Sequence, residues 1–500
     1  MSQLLRCKNI DQLVEESQGA GQRLAKTLGL WSLVALGVGA VIGSGIFTVI
    51  GTAAKGNTSK YESVLHAPVL DILRYGPDAI SSIGRPGAGP GVAISFVLLA
   101  IACGLSALCY AEVASMIPIA GSAYTYAYAT LGEIFAWILG WDLILEYAVS
   151  NMSVAVGFSG YFNDILENLF GFRLPPEWSG PALRGSEVTG NYFNIPALII
   201  MVILTWLLVR GVKESTQATG IMVVIKTLAI LAFVLGAANA INPANWQPFT
   251  PNGMSGVISG AAIVFFAYIG FDSVSTAAEE CKNPKKDLPW GIFLTLAICT
   301  ALYAAVALVL TGIVPYTTLD ESEPVAKALK DIGYNNLRIF VSLGALIGMW
   351  SSLLVFQYGQ ARIWYAMSRD KLLPGAFSKV HPKFQTPHIS TWIAGFVVGV
   401  PAGIWDIATF AELANIGTLF AFATVAAAVI ILRKKQPERA RGFRVPMVPL
   451  IPILSILFCF ILMLGLPLQT WISFFIWLII GLVIYFSYSK SRSLLAQENN

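Results

Sequence analysis

Twelve runs of apolar residues, each a candidate membrane-crossing helix, dominate this chain. They lie near 31–54, 91–115, 134–160, 195–210, 217–240, 254–278, 290–314, 337–366, 388–404, 407–431, 449–467 and 469–489, the fourth and ninth being short. About 20 apolar residues in a helix are needed to cross ~30 Å of hydrocarbon. The rest of the composition agrees. Charged residues are 12% of the 500 and hydrophobic ones 56%, whereas an ordinary soluble domain is about 25% charged. A soluble globule has to be coated with charge, and this chain has too little. A soluble enzyme of two or three domains is excluded. The expectation is an all-α polytopic membrane protein with 12 transmembrane helices, embedded in the lipid bilayer.

The basic residues orient it. With the N-terminus in the cytoplasm, 21 of the 32 lysines and arginines fall on cytoplasmic segments and 9 on external ones, Lys226 and Arg362 lying within spans. That is the positive-inside bias, and it places both termini in the cytoplasm of a cell membrane, inner or plasma. Adding or losing one helix would reverse the later loops and break the bias. The expected division is a cytoplasmic tail at 1–30, a first five-helix repeat at 31–240, a second at 254–431, accessory helices at 449–489 and a short cytoplasmic tail at 490–500. Long external loops occupy 55–90 and 161–194, the first holding a short amphipathic pattern around Val64–Tyr75.

Enzyme and metal signatures are missing. The six cysteines form no CxxC pair, no histidine lies in the interior of an apolar run (His388 opens the ninth), and no HExxH occurs. The GxSG strings at Gly157–Gly160 and Gly253–Gly256 have no intramembrane histidine to serve as a base. Neither covalent chemistry nor a cofactor is expected. A net charge of +4 is too small to indicate nucleic acid.

Two spans are interrupted in matching places. The first reads Gly37-Val38-Gly39-Ala40-Val41-Ile42-Gly43-Ser44-Gly45-Ile46-Phe47, and the sixth Phe265-Phe266-Ala267-Tyr268-Ile269-Gly270-Phe271-Asp272. Five spans separate their starts, so the two halves enter the membrane in opposite senses. Glycine-broken segments in corresponding places point to the binding site of an inverted-repeat transporter. Glycine leaves helical dihedrals cheaply. A break at Gly43, Ser44 and Gly45 opens main-chain N–H groups at a positive helix end, where a carboxylate binds. Carbonyls of Ile42, Phe266, Ala267 and Ile269 are left to accept an ammonium group. Together they describe an α-amino acid. The competing account of the first motif is packing, since Gly39 and Gly43 also form GxxxG.

These strings resemble the amino acid–polyamine–organocation superfamily, in particular its cationic amino acid transporter branch and bacterial relatives. Leu28-Gly29-Leu30-Trp31, Glu279-Glu280-Cys281-Lys282-Asn283-Pro284 and Tyr365-Ala366-Met367-Ser368-Arg369-Asp370-Lys371-Leu372-Leu373-Pro374 match as well. The resemblance runs from about residue 20 to the end of the twelfth span. It implies a 5+5 inverted repeat with broken first and sixth helices, two accessory helices and alternating access. The 55–90 loop is longer than the branch leads one to expect and has no assigned role.

Intramembrane charge adds detail. Lys226 in the fifth span costs at least ~2.5–3.5 kcal/mol to insert, and the resemblance gives it the proton-coupling role; a structural lysine paired with a carboxylate is the alternative. Asp142 and Glu146 share one helical face. The resemblance turns Glu146 towards the substrate side chain, suiting a cationic amino acid; a helix–helix hydrogen bond is the alternative. Met349 matches the pocket floor and favours smaller substrates. Tyr268 and Phe271 are candidate outer gates, with the further possibility that Tyr268 faces away. Glu112, Glu279, Glu280, Arg362 and Arg369 are candidate inner latches or ordinary surface ions. Ser351 and Ser352 keep sodium coupling open. The expected function is proton-coupled symport of cationic and small neutral L-amino acids. Its competitors are an uncoupled facilitator or exchanger and a non-transporting amino-acid-binding receptor. The oligomeric state is not set by the sequence.

Overall fold

The computed structural model describes residues 5–11, 28–56, 61, 63–81, 84–117, 122–184, 187–210, 216–276, 281–319, 323–384 and 386–494. Each of the twelve apolar runs is helical there. The first half comprises α1 (Leu30–Val41), α2 (Ile50–Lys55), a short α3 (Val69–Tyr75), α4 (Val92–Met116), α5 (Ser122–Thr130), α6 (Glu133–Phe170), α7 (Ile195–Val209) and α8 (Thr216–Ala237). The second half comprises α9 (Gly253–Val264), α10 (Ser273–Thr276), α11 (Pro284–Ile313), α12 (Pro324–Asp331), α13 (Asn335–Arg369), α14 (His388–Ile404) and α15 (Ile407–Lys435). Then come α16 (Leu450–Leu464) and α17 (Leu468–Ile484). Among the described residues the sole sheet pairs Leu183–Arg184 with Glu187–Val188.

Among the described residues six helices are long and apolar enough to cross a membrane, and a seventh is added when α1 and the stretch Gly45–Lys55, bent by 43°, count as one span. Four more apolar helices are shorter: Ile195–Val209, Gly253–Tyr268, His388–Ile404 and Leu450–Leu464. The longest helix, α6, spans 38 residues. It is less apolar because it buries Asp142, Glu146, Ser150 and Asn151. Such groups are tolerated in a membrane only when turned towards protein. Large apolar side chains, conversely, face outward: Phe475, Ile476, Ile479 and Val483 of α17 are each more than half exposed. This reversal of the soluble pattern is what lipid contact requires.

The centre is a frame of α6 packed along α13, with α15 against α6 and α4 against α11. Ion pairs fix the frame at its ends. At one end the buried Arg338 guanidinium pairs with Asp164, its Nε donating at 2.8 Å, and Ser342 Oγ donates to the other carboxylate oxygen at 2.6 Å. There Arg173 also reaches Glu323 at 2.7 Å and Lys330 reaches Glu167 at 2.6 Å. At the other end Lys8 meets Asp370 at 2.8 Å, and Tyr124 Oη donates to the same carboxylate at 2.6 Å. Breaking a buried pair by removing one partner strands the other charge. Arg338→Leu is therefore expected to cost about 3–5 kcal/mol of stability, read as a lowered unfolding midpoint in detergent. The Asp164→Leu/Arg338→Leu double variant should recover most of that loss.

Candidate substrate site

The first broken helix changes course within four residues. Ile42 leaves helical geometry at φ −77°, ψ 93°, and a wide π-type turn, Gly45–Val49, leads into α2. The second break is similar in kind. A 3-10 turn over Phe265–Tyr268 is followed by extended Ile269 and by Gly270 at φ +114°, a conformation that L side chains rarely adopt. The two breaks lie against each other. A Cβ on Gly45 would sit 2.4 Å from Ala267 Cα, and one on Gly270 would sit 3.1 Å from the Ala40 carbonyl carbon. Glycine is needed here because another backbone occupies the place of its side chain.

Carbonyls freed by the break are claimed by side chains from other helices. Lys226 Nζ on α8 donates to Gly39 O and to Ile42 O, the latter at 2.7 Å. These are the last carbonyls of α1, the negative end of its dipole, where a cation is stabilised. Tyr303 Oη on α11 lies 2.9 Å from Val41 O and 3.0 Å from Ala267 O, so one hydroxyl joins both broken helices. Tyr161 Oη on α6 donates to Phe47 O at 2.7 Å. Ser352 on α13 is 3.5 Å from Ile42 O and 3.2 Å from Gly348 O. Phe266 O accepts from Ile269 N–H at 3.3 Å. No side chain caps the start of the Gly45 turn, and Ser44 Oγ has no hydrogen-bond partner among the described residues.

The other candidate residues fall around this junction. Met349 is fully buried on α13, beside Gly348, whose Cβ position is 3.3 Å from the Lys226 side chain. Glu146 is buried on α6; its Oε2 has no hydrogen-bond partner among the described residues, and Thr418 of α15 reaches its carboxyl. Asp142, one turn away, is fully buried, has no partner for either oxygen among the described residues, and faces Gly417, whose Cβ position lies 2.7 Å from Oδ1. Phe271 stacks towards Tyr110 and Phe422, its centroid 4.9 Å from the latter. Tyr268 turns to α4 and α11, its hydroxyl 2.9 Å from Phe96 O and 3.0 Å from Thr300 Oγ1.

The candidate inner latch takes a different form. Glu112 binds Arg433 at 2.7 Å, Arg441 at 3.0 Å and the Val445 N–H at 2.7 Å, instead of Arg362 or Arg369. Arg362 lies over the Tyr358 ring, and Arg369 is exposed. Glu279 and Glu280 lie outside the described residues. Two features escaped the sequence: Tyr303, whose only signal was a tyrosine amid an apolar run, and Lys8. The N-terminal segment docks through Lys8 on Asp370 and 4.7 Å over the Tyr128 ring, partners 362 and 120 residues away.

Comparison with known proteins agrees with this architecture. Residues 28–485 match the amino acid permease family. The chain is 45% identical to the methylthioribose transporter of Bacillus subtilis (strain 168), over 99% of this chain and 100% of that protein. It is 45% identical to the branched-chain amino acid permease BcaP of the same strain, over 99% of each. Cationic amino acid transporter 9, chloroplastic, of Arabidopsis thaliana is 37% identical over 83% of this chain and 68% of that protein.

Overpacking typically costs about 1–3 kcal/mol, and Gly45→Ala places its methyl against main chain that cannot retreat. Uptake of labelled amino acid at matched protein levels should fall roughly tenfold or more, since 1.36 kcal/mol is one decade. Tyr303→Phe removes the single donor that two buried carbonyls share, at about 1–3 kcal/mol, and should loosen the junction. Limited proteolysis or labelling of cysteines placed along α1 would register that loosening.

Proposed function

The chain belongs to the amino acid permease family, and from that premise we propose that it carries amino acids together with protons by alternating access. It is a multi-pass membrane protein and a transporter, not an enzyme. The proposal extends to twelve crossings, termini in the cytoplasm, and a 5+5 repeat whose broken members are α1–α2 and α9–α10. Substrate would sit at the paired breaks. Its carboxylate goes to the uncapped N–H groups from Gly43 to Gly45 and the Ser44 hydroxyl, its ammonium to the carbonyls of Ile42, Phe266, Ala267 and Ile269.

One observation carries the coupling: the Lys226 ammonium on Gly39 O and Ile42 O. Charge-assisted hydrogen bonds are worth about 1.5–3 kcal/mol each. While protonated, Lys226 pins α1 to α8. Loss of the proton weakens both bonds and frees α1 to swing, and substrate ammonium competes for the same Ile42 carbonyl. Sodium is disfavoured at this place by repulsion from the lysine charge. Tyr268 and Phe271 would close one side of the site, and Glu279 with Arg369 the other.

Substrate choice is assigned to the side-chain end. Buried Glu146 suits a guanidinium or ammonium, and Met349 limits length, which gives cationic and small neutral amino acids. A second reading, branched-chain neutral substrates, is favoured by the 45% identity to a protein named a branched-chain amino acid permease. Competition of labelled arginine and labelled leucine by the twenty amino acids separates the two. Glu146→Gln should lower arginine uptake far more than alanine uptake; equal losses reject the selectivity role.

In proteoliposomes an inward proton gradient should drive accumulation of labelled amino acid, and an uncoupler should abolish it. Lys226→Ala should lose gradient-driven accumulation and retain substrate counterflow. Accumulation that follows only sodium, or a Lys226→Ala variant with unchanged pH dependence, would reject the coupling scheme.

A further inference from the structure

The long segment between α2 and α4 leaves and returns at one point. Gly56, at φ +69°, bridges Pro86, and Ala88 N–H donates to Ala53 O at 3.0 Å. The excursion is therefore unnecessary for joining the two helices. Its middle reaches across to the turn between α16 and α17. Val69 N–H donates to Leu466 O at 3.1 Å, Leu468 N–H donates to Ala67 O at 3.0 Å, and Pro68 bridges Pro467. Arg85 completes the attachment, binding Glu412 at 2.5 Å and Gly465 O at 3.3 Å.

That attachment fixes a depth. The helical segment beginning at Leu468 is long and apolar enough to cross the membrane, so Pro467 marks one membrane surface and α3 starts beside it. From there α3 and its flanking turns expose apolar side chains that no other described residue covers. Leu73 is 71% exposed, and Leu65, Leu70, Tyr75 and Ile80 are 40–45% exposed. The helices on either side of that turn, α16 and α17, expose apolar side chains as well, Phe460 and Phe475 at 51% each. Arg74 lies among them with its guanidinium 5.1 Å from the Tyr75 ring centroid. A basic side chain with aromatic and aliphatic neighbours at the hydrocarbon boundary is the composition of an interfacial element, with the charge among headgroups and the rings below.

We propose that α3 and its flanks form a strap seated in the lipid interface, with Leu70, Leu73 and Tyr75 in the acyl boundary. The strap thereby fastens the end of α2, the outer half of the first broken helix, to the bilayer surface. This inference rests on α17 crossing the membrane and is independent of the substrate and the coupling ion.

The test uses the full chain with Cys7, the exposed cysteine, replaced by serine; the other five cysteines are buried. An environment-sensitive fluorophore is placed by Leu73→Cys, with Ile80→Cys as a second position should the first fail to fold. Val188→Cys, 78% exposed on the small hairpin, reports water, and Ile479→Cys, 59% exposed on α17, reports lipid. The proteins are reconstituted in phosphatidylethanolamine–phosphatidylglycerol vesicles with lipid carrying a shallow doxyl quencher. The label at 73 should be quenched several-fold more by doxyl lipid than the label at 188, and several-fold less by iodide. Equal iodide quenching at 73 and 188 would overturn the strap's seating, as would self-quenching at 73 that rises with protein-to-lipid ratio, the mark of a second copy. Iodide access at 479 would instead reject the crossing of α17, a failure distinguishable from the others.

Discussion

Main-chain polar groups opened in the middle of a membrane have no water to turn to. The structure answers that constraint with two side chains brought from outside the broken helices. Lys226 takes the carbonyls of Gly39 and Ile42, and Tyr303 spans Val41 and Ala267. The closed junction is thus a set of exchangeable bonds, and an amino group arriving with substrate is chemically similar to the ammonium already there.

Exchange requires that some parts move and others do not. The two breaks touch through glycine, with no side chain between main chains at Gly45 and Ala267, so small rotations make or break the contact. Around them α6 and α13 are joined at one end by Asp164 with Arg338, and the other end of α13 is tied to the N-terminal segment and α5 through Asp370 with Lys8 and Tyr124. A buried, fully hydrogen-bonded pair adds little net stability but resists separation. That resistance suits a frame carrying Gly348, Met349 and Ser352 beside a lysine that has to keep its address.

Much of this was legible in the chain. Apolar run length located helical segments, six of them long and apolar enough to cross a membrane and a seventh across the bend before Gly45 among the described residues, because a membrane helix needs no tertiary partner to declare itself. The Gly-Ser-Gly string pointed to the first break only in company with its sixth-span counterpart, since Gly39 and Gly43 alone also fit close helix packing, and Lys226 stood out as a charge where charge is expensive. Tyr303 did not stand out: its hydroxyl matters only because two distant carbonyls converge on it, and tyrosine is ordinary in an apolar run. Lys8–Asp370 was invisible for the same reason, and so were the partners of Glu112, because only geometry brings Arg433 and Arg441 to it.

Separating backbone recognition from side-chain recognition has a consequence for how such a site tolerates change. The groups at the breaks are main chain, so substitution cannot alter their chemistry, only their position. Glu146 and Met349 lie on α6 and α13, the frame, and neither makes a hydrogen bond that closes the junction. On the proposed assignment, changes there would retune which side chain fits without disturbing the bonds of Lys226 and Tyr303. Changes at Gly45, Gly270 or Lys226 would do the reverse, affecting every substrate alike. The division follows from where the physical necessity lies: unsatisfied dipoles fix the junction, and only shape and charge remain free to vary around it.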